Sequence, residues 1–335
     1  MTKDYFNRDQ TDYRITTCCQ FHDASLKKQM NIGTCTKTNA LKDHQKATLK
    51  AVSNCKELIK FMNYFAKQPV NLRSFRISST MFPCFTVPEI NPYYEEVWEE
   101  INKLLKIAGN IAIENKIRLS MHPDQFCVLA SNRSDVVKNS IDEMHYHGYI
   151  GEMLGIEPES FSINIHLQGK YGIASSEPGI QRFVSAYQDL NDYCKKAISV
   201  ENEDKPNGYD IYDTLELAQR IPIRCTLDIH HYECWRKKDC EYPSVTDDFF
   251  KEAVKTWKGH RPLFHKSQSI PGEPRINSHS DIYYDEDRMS RAVPMLEYAD
   301  FDIEAKHKEV AVKHFYNFIK EEEEMAGEFL VCKTL

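Results

Sequence analysis

Residues 224–234 read RCTLDIHHYEC, which packs one aspartate, two histidines and two cysteines into a single short stretch. Three readings compete for it: a structural zinc cluster, a metal site at the end of a β-strand, or a polar loop. The rest of the chain decides for the strand, because the same arrangement recurs. IRLSMHPDQ (117–125) runs into His122, FSINIHLQG (161–169) into His166 and AISVENED (197–204) into Glu201. LFHKSQS (263–269) gives His265 and ADFDIEAK (299–306) gives Glu304. CTLDIHH itself supplies Asp228, with His230 and His231 just beyond. Consecutive β-branched or apolar runs thus each end in a residue able to bind a metal.

Two further strand candidates, DYRITTCC (12–19) and LRSFRISS (72–79), precede these. Helical patterns fall between the strands at about 41–67, 93–115, 134–154, 178–197, 209–219 and 245–258, and a last one at 307–324. Strands alternating with helices in this way predict a closed parallel (β/α)8 TIM barrel, with a doubly wound open sheet as the alternative. The expected organisation is a single domain over 1–335, with a divergent first strand and N-terminal extension in 1–30 and a C-terminal helix and tail in 307–335. EEEE at 321–324 reads as the solvated end of that last helix.

Composition sets wide limits. The 335 residues are 41% hydrophobic and 28% charged, which suits a globular protein. The first residues, MTKDYFNRDQTDYR, lack the apolar core of a signal peptide, and no run approaches membrane-spanning length. Eleven cysteines without framework spacing point to a reducing, intracellular compartment. A net charge of −7 argues weakly against a nucleic-acid binder, but bound divalent cations reverse the local field.

In a parallel barrel all strand ends share one face, the face on which barrel enzymes keep their chemistry. One metal uses three or four ligands, so His122, His166, Glu201, Asp228, His265 and Glu304 could serve two or three. Histidine and carboxylate ligands without cysteine suit an open, catalytic site for zinc, manganese or iron. Clustered divalent ions activate water and stabilise the leaving oxygen in displacement at phosphorus. Phosphodiester hydrolysis is therefore the leading chemistry, ahead of sugar isomerisation.

Several segments, in order, resemble the UV-damage endonuclease family and, more distantly, the endonuclease IV type of apurinic-site nuclease. They are FRISSTMFP (75–83), LSMHPDQF (119–126), INIHLQGKYG (163–172), SVENED (199–204), LDIHH (227–231), HSDIY (279–283) and DIEAKHKE (302–309). The resemblance implies a metal-dependent endodeoxyribonuclease on a (β/α)8 barrel. Such an enzyme nicks damaged double-stranded DNA on the 5′ side of UV photoproducts, leaving 3′-hydroxyl and 5′-phosphate ends. It implies His122, His166 and Glu201 on a first metal, with Glu201 bridging to a second held by Asp228, His265 and Glu304. His231 and His279 would hold a third, and His230 would be a neighbour rather than a ligand. Manganese is the implied ion, with zinc, magnesium or iron as alternatives. Metal-bound hydroxide would be the nucleophile, and no separate protein base is assigned.

The resemblance also places Gln125 and Phe126 where a pair wedges into the duplex, and an amide and an aromatic ring suit that task. The alternative for Phe126 is an anchor that holds its loop on the barrel rim. Arg76, Lys170 and Lys266 lie near strand ends and are candidates for phosphate contact. No membrane or obligate protein partner is expected. Two departures stand out. In YRITTCCQF, Thr17 and Phe21 occupy the positions of the family's tyrosine and asparagine lesion probes, and Leu263 replaces a lysine that some members modify. The remaining competitors are an apurinic-site nuclease, a sugar isomerase-like barrel, and a damage-binding protein with zinc on Cys225, His231, Cys234 and Cys240.

Overall fold

The computed structural model describes residues 12–236 and 241–333, with side chains as far as residue 325. Eight parallel strands run β1 Ile15–Cys18, β2 Ser74–Ile77, β3 Arg118–Met121, β4 Ser162–His166, β5 Ile198–Glu201, β6 Arg224–Thr226, β7 Leu263–Lys266 and β8 Asp300–Ile303. In their order around the sheet, β6-β5-β4-β3-β2-β1-β8-β7, every paired neighbour is consecutive in the chain except β8 and β1, and the ring's two outer members, β6 and β7, meet at a seam without a ladder. That seam is bridged by Asp228 and His265, where the His265 N–H donates to the Leu227 carbonyl at 3.0 Å. The result is the predicted (β/α)8 barrel.

Helices fill the crossovers: α1 Ala24–Gln29, α2 Lys37–Lys42, α3 Gln45–Phe65, α4 Trp98–Glu114, α5 Ser134–Leu154, α6 Glu177–Gln188 and α7 Asp192–Ala197. They continue as α8 Ile211–Arg220, α9 Ile229–Trp235, α10 Asp248–Thr256, α11 Glu286–Ala292 and α12 Glu309–Lys333. None of the described helices is long and apolar enough to cross a membrane. The pattern expected over 178–197 is two helices rather than one, because Asn191 caps a new start by accepting from the Cys194 N–H. Helix α9 follows β6 directly, so Cys234 is helical and not in a loop. Cys240 lies outside the described residues.

Strand pleat divides the residues into two sets. Ile15, Phe75, Leu119, Met121, Ile163, Ile165, Val200, Phe264 and Phe301 pack outward against helices in the buried hydrophobic clusters. The alternate positions turn inward and, Leu263 of β7 excepted, are polar. Thr16 meets Ser74 at 2.6 Å, Ser162 meets Ser199 at 2.8 Å, and Arg118 reaches across the barrel to Asp300 at 2.6 Å. A barrel interior is more often filled by branched apolar residues. Here the hydrophobic core is a shell between strands and helices, and the axis carries charge.

Candidate metal centre

Two residues past the inward polar positions, the same parity delivers the strand-end ligand candidates. Ser120 precedes His122, Asn164 precedes His166, Ser199 precedes Glu201, Thr226 precedes Asp228, and Asp302 precedes Glu304. Glu201 sits at the centre, 1% exposed. Its Oε1 lies 2.8 Å from His166 Nδ1 and 3.4 Å from His122 Nε2, and its Oε2 lies 2.7 Å from His265 Nδ1. His265 Nδ1 is also 3.4 Å from Glu304 Oε1 and 4.0 Å from Asp228 Oδ2.

The donor atoms form three overlapping sets, each within 4.8 Å: His122, His166 and Glu201; Glu201, Asp228 and His265; and His122, His265 and Glu304. Glu201 belongs to two of them, one oxygen toward each. Among the described residues, His231 and His279 join no such set. His231 Nδ1 stands 3.7 Å from Asp228 Oδ2, and the His231 and His279 ring centroids are 6.4 Å apart.

Second partners hold these side chains in orientation. Asn164 Nδ2 donates to Glu201 Oε2 at 2.7 Å. Asn202 accepts from the Asp228 N–H at 2.9 Å and donates to the Asp228 carbonyl at 3.0 Å. The Asp228 side chain caps α9 by accepting from the His231 N–H at 2.7 Å. Ring Nδ1 of His231 pairs with the Asn202 carbonyl and that of His279 with the Glu304 carbonyl, leaving each Nε2 for a ligand. Neither Asn164 nor Asn202 stood out in the sequence. Their signal is the period of two that places Asn164 inward and the position of Asn202 directly after Glu201.

The electrostatics fit a cation. Burial alone would raise Glu201, yet His166, His265 and His122 more than offset it and hold the carboxyl well below its usual range. Burial likewise works against Glu304, but Arg76 and His265 hold it down. Asp228 is raised, first by burial, and its buried Oδ2 accepts no hydrogen bond. Burial disfavours a charged His265, yet Glu201 and Glu304 push it up to about 10; Asp228 and Glu201 push His231 up to about 9 in the same way. Carboxylates that draw protons onto buried histidines are a donor set that divalent ions can satisfy in their place.

The DNA-contact candidates separate. Phe126 is 79% exposed at the barrel mouth beside an exposed Gln125, which excludes the anchoring alternative for that ring. Arg76 points into the barrel, bonded to Glu304 and 3.2 Å from Asp302 Oδ2, rather than out toward a phosphate. Lys170 donates to the Gly208 carbonyl at 3.0 Å over the Tyr209 ring. Lys266 does not face the site. Next to inward-facing His265, pleat turns it outward, where it is 1% exposed and held by Tyr242, Tyr283 and the Arg288 carbonyl.

Zinc on Cys225 and His231 is also overturned. Cys225 faces the helix layer and donates to the Thr214 carbonyl, while His231 faces the axis. Of the two positions that depart from the family, Thr17 is buried in β1 and Phe21 stacks on Phe61 in the core.

A family profile described as UV-endonuclease UvdE matches residues 15–332. A protein of Bacillus cereus (strain G9842) named UV DNA damage endonuclease is 30% identical over 272 residues, 77% of this chain and 78% of its own length. The crystal structure of SacUVDE superposes with a TM-score of 0.78 at 26% identity, over 93% of this chain and 99% of that one. Endonuclease IV from Thermus thermophilus gives a TM-score of 0.55 at 12% identity, over 92% of this chain and 99% of that one, and shares the fold.

Proposed function

The chain belongs to the UV-endonuclease UvdE family, and from that premise we propose that it cuts damaged duplex DNA on the 5′ side of UV photoproducts. The products are a 3′-hydroxyl and a 5′-phosphate. The observation that carries this reading is Glu201, whose two oxygens serve two adjoining donor sets at the C-terminal ends of the barrel strands.

His122, His166 and Glu201 would hold one ion, and Glu201, Asp228, His265 and Glu304 a second, with manganese the preferred metal. His231 and His279, each with Nδ1 held by a backbone carbonyl, would offer their Nε2 atoms to a third. Divalent ions held there would supply Lewis acidity that lowers the pKa of water and stabilises charge on the leaving oxygen. The chain's own part is orientation. Asn164 fixes the bridging carboxylate, Asn202 fixes the Asp228 backbone and the His231 tautomer, and Arg76 steadies Glu304. The exposed Phe126 ring inserts into the stack where the lesion weakens it, and Gln125 offers an amide to a base left without its partner. Such an insertion costs least at a damaged step, which selects lesions without reading sequence.

Incubating the protein and manganese with irradiated, end-labelled duplex tests this. Nicks on the 5′ side of dimers are expected, whereas cutting confined to abasic sites would reassign the enzyme to the endonuclease IV type. His166→Ala should abolish incision while preserving the far-ultraviolet circular dichroism spectrum. Full incision by that variant would remove the proposed centre.

A further inference from the structure

The segment between β1 and α3 carries a charge pattern unlike the rest of the chain. Residues 22–50 contain Lys27, Lys28, Lys37, Lys42, Lys46 and Lys50 against only Asp23 and Asp43, in a protein of net charge −7. Lys27, Lys28, Lys37, Lys42 and Lys46 are exposed, and among the described residues none of them enters an ion pair. The two aspartates are occupied elsewhere: Asp23 Oδ1 caps α1 through the Leu26 N–H at 2.9 Å, and Asp43 Oδ1 accepts from the Gln45 N–H at 3.2 Å. Further along α3 the pattern reverses, with Lys56 paired to Glu100 at 3.0 Å and Lys60 to Glu57 at 2.7 Å. Along α3, the lysines without an ion pair thus lie at the end that opens on the barrel mouth.

This segment is also held in place. Asn54, 1% exposed, accepts from the Gly33 N–H at 2.9 Å, and its Nδ2 lies 2.8 Å from the Gly33 carbonyl, 3.1 Å from that of Thr80 and 3.0 Å from that of Met81. Thr80 and Met81 follow β2 and adjoin Ser79, whose hydroxyl donates to the His122 carbonyl at 2.7 Å. Phe21 and Met30 are pegged into the hydrophobic cluster, and Glu309 accepts from the His22 and Asp23 N–H groups at 2.6 and 2.7 Å. A solvated lysine run needs no such seating.

We propose that the β1–α3 segment is a phosphate clamp that grips the DNA backbone beside the metal centre. The inference rests on the duplex-DNA reading above and adds a surface to it. Because the segment is already ordered, its lysines meet phosphates without the entropy cost of folding a loop on binding. Phosphate contact carries no sequence information, so the clamp sets register and affinity while the barrel mouth does the lesion reading.

Binding of a short undamaged duplex, followed by fluorescence anisotropy over a salt series, tests the clamp without cutting. Lys27→Gln/Lys28→Gln/Lys46→Gln should make the slope of log affinity against log salt shallower by about 2–3, at roughly 0.9 per phosphate no longer neutralised. Lys46→Gln alone should remove about 1. The matched control, Lys67→Gln/Lys116→Gln/Lys258→Gln, removes the same charge from exposed lysines at the opposite end of the barrel and should keep the wild-type slope. A triple variant with the wild-type slope would overturn the clamp and leave the DNA reading intact. So would a control that loses as much slope as the clamp variant. A wild-type protein without salt-dependent duplex binding would overturn the DNA reading and the clamp together.

Discussion

The two ends of the barrel axis are both charged and both buried, but they are balanced in opposite ways. At the N-terminal end Asp300, 0% exposed, accepts from Arg118 at 2.6 Å, Arg261 at 2.7 Å and the Arg14 N–H at 2.8 Å. Arg224 lies beneath Trp257 and donates to the Phe161 and Glu159 carbonyls. Fixed guanidinium groups there supply all the positive charge that the carboxylate needs. At the C-terminal end Glu201, Asp228 and Glu304 face one arginine, Arg76, and a ring of histidines whose charge depends on bound protons. A buried carboxylate with a permanent counterion contributes to the fold, and one without it is available for an ion from solution.

Substitutions at each end sharpen that contrast. The largest effect is expected at the closed end, where Asp300→Asn removes the buried carboxylate that Arg118 and Arg261 share. A loss of about 3–5 kcal/mol in unfolding free energy should follow, with metal content per folded molecule unchanged. Chemical denaturation alongside elemental analysis measures both, and a stable Asp300→Asn protein would break the comparison.

At the open end Asp228→Asn should act in the opposite direction. It removes a negative charge that burial disfavours, so the metal-free protein should gain stability. The rise in melting temperature on adding manganese should shrink or vanish. A metal-free variant less stable than wild type would show that Asp228 is held mainly by the protein.

The smallest effect lies outside both networks, at Glu143 on α5. Burial first, then Asp124, raises its carboxyl from 4.5 to about 7, against the Thr86 hydroxyl that lowers it. The folded state therefore holds this proton more tightly than the unfolded chain. That contribution is complete below the unfolded value and is lost as pH rises through about 7. Glu143→Gln has no such proton, so near pH 8 it should exceed wild type by about 1–2 kcal/mol and near pH 4 by little or nothing. Melting curves across that range decide it, and parallel pH profiles would refute the assignment.

Much of the architecture was legible because strand ends and helix periods are local signals. The pattern over 134–154 matches α5 residue for residue, its end fixed by Gly155 at φ 70°. The ligand candidates were legible for a related reason, since each closes a β-branched run. What was missed depends on facing. RLSMH, SINIH and RCTLD alternate polar and apolar residues, so the charged axis was present in the sequence as a period of two. Applied to FHK, that period would have turned Lys266 away from the site once His265 was turned toward it. Helix α9 escaped notice because its cap is Asp228, and a single side chain cannot be read as both cap and ligand from spacing alone.

The β6–β7 seam gives the metal candidates a second meaning. A closed sheet behaves like a hoop, and this hoop is fastened by Asp228 and His265 rather than by a full ladder. In the proposed centre those two residues share an ion, so loading the site and fastening the wall become one equilibrium. Breathing of the barrel should begin at this buckle. Amide hydrogen exchange at His265 and its neighbours in β6 and β7 would then report occupancy before any substrate is added.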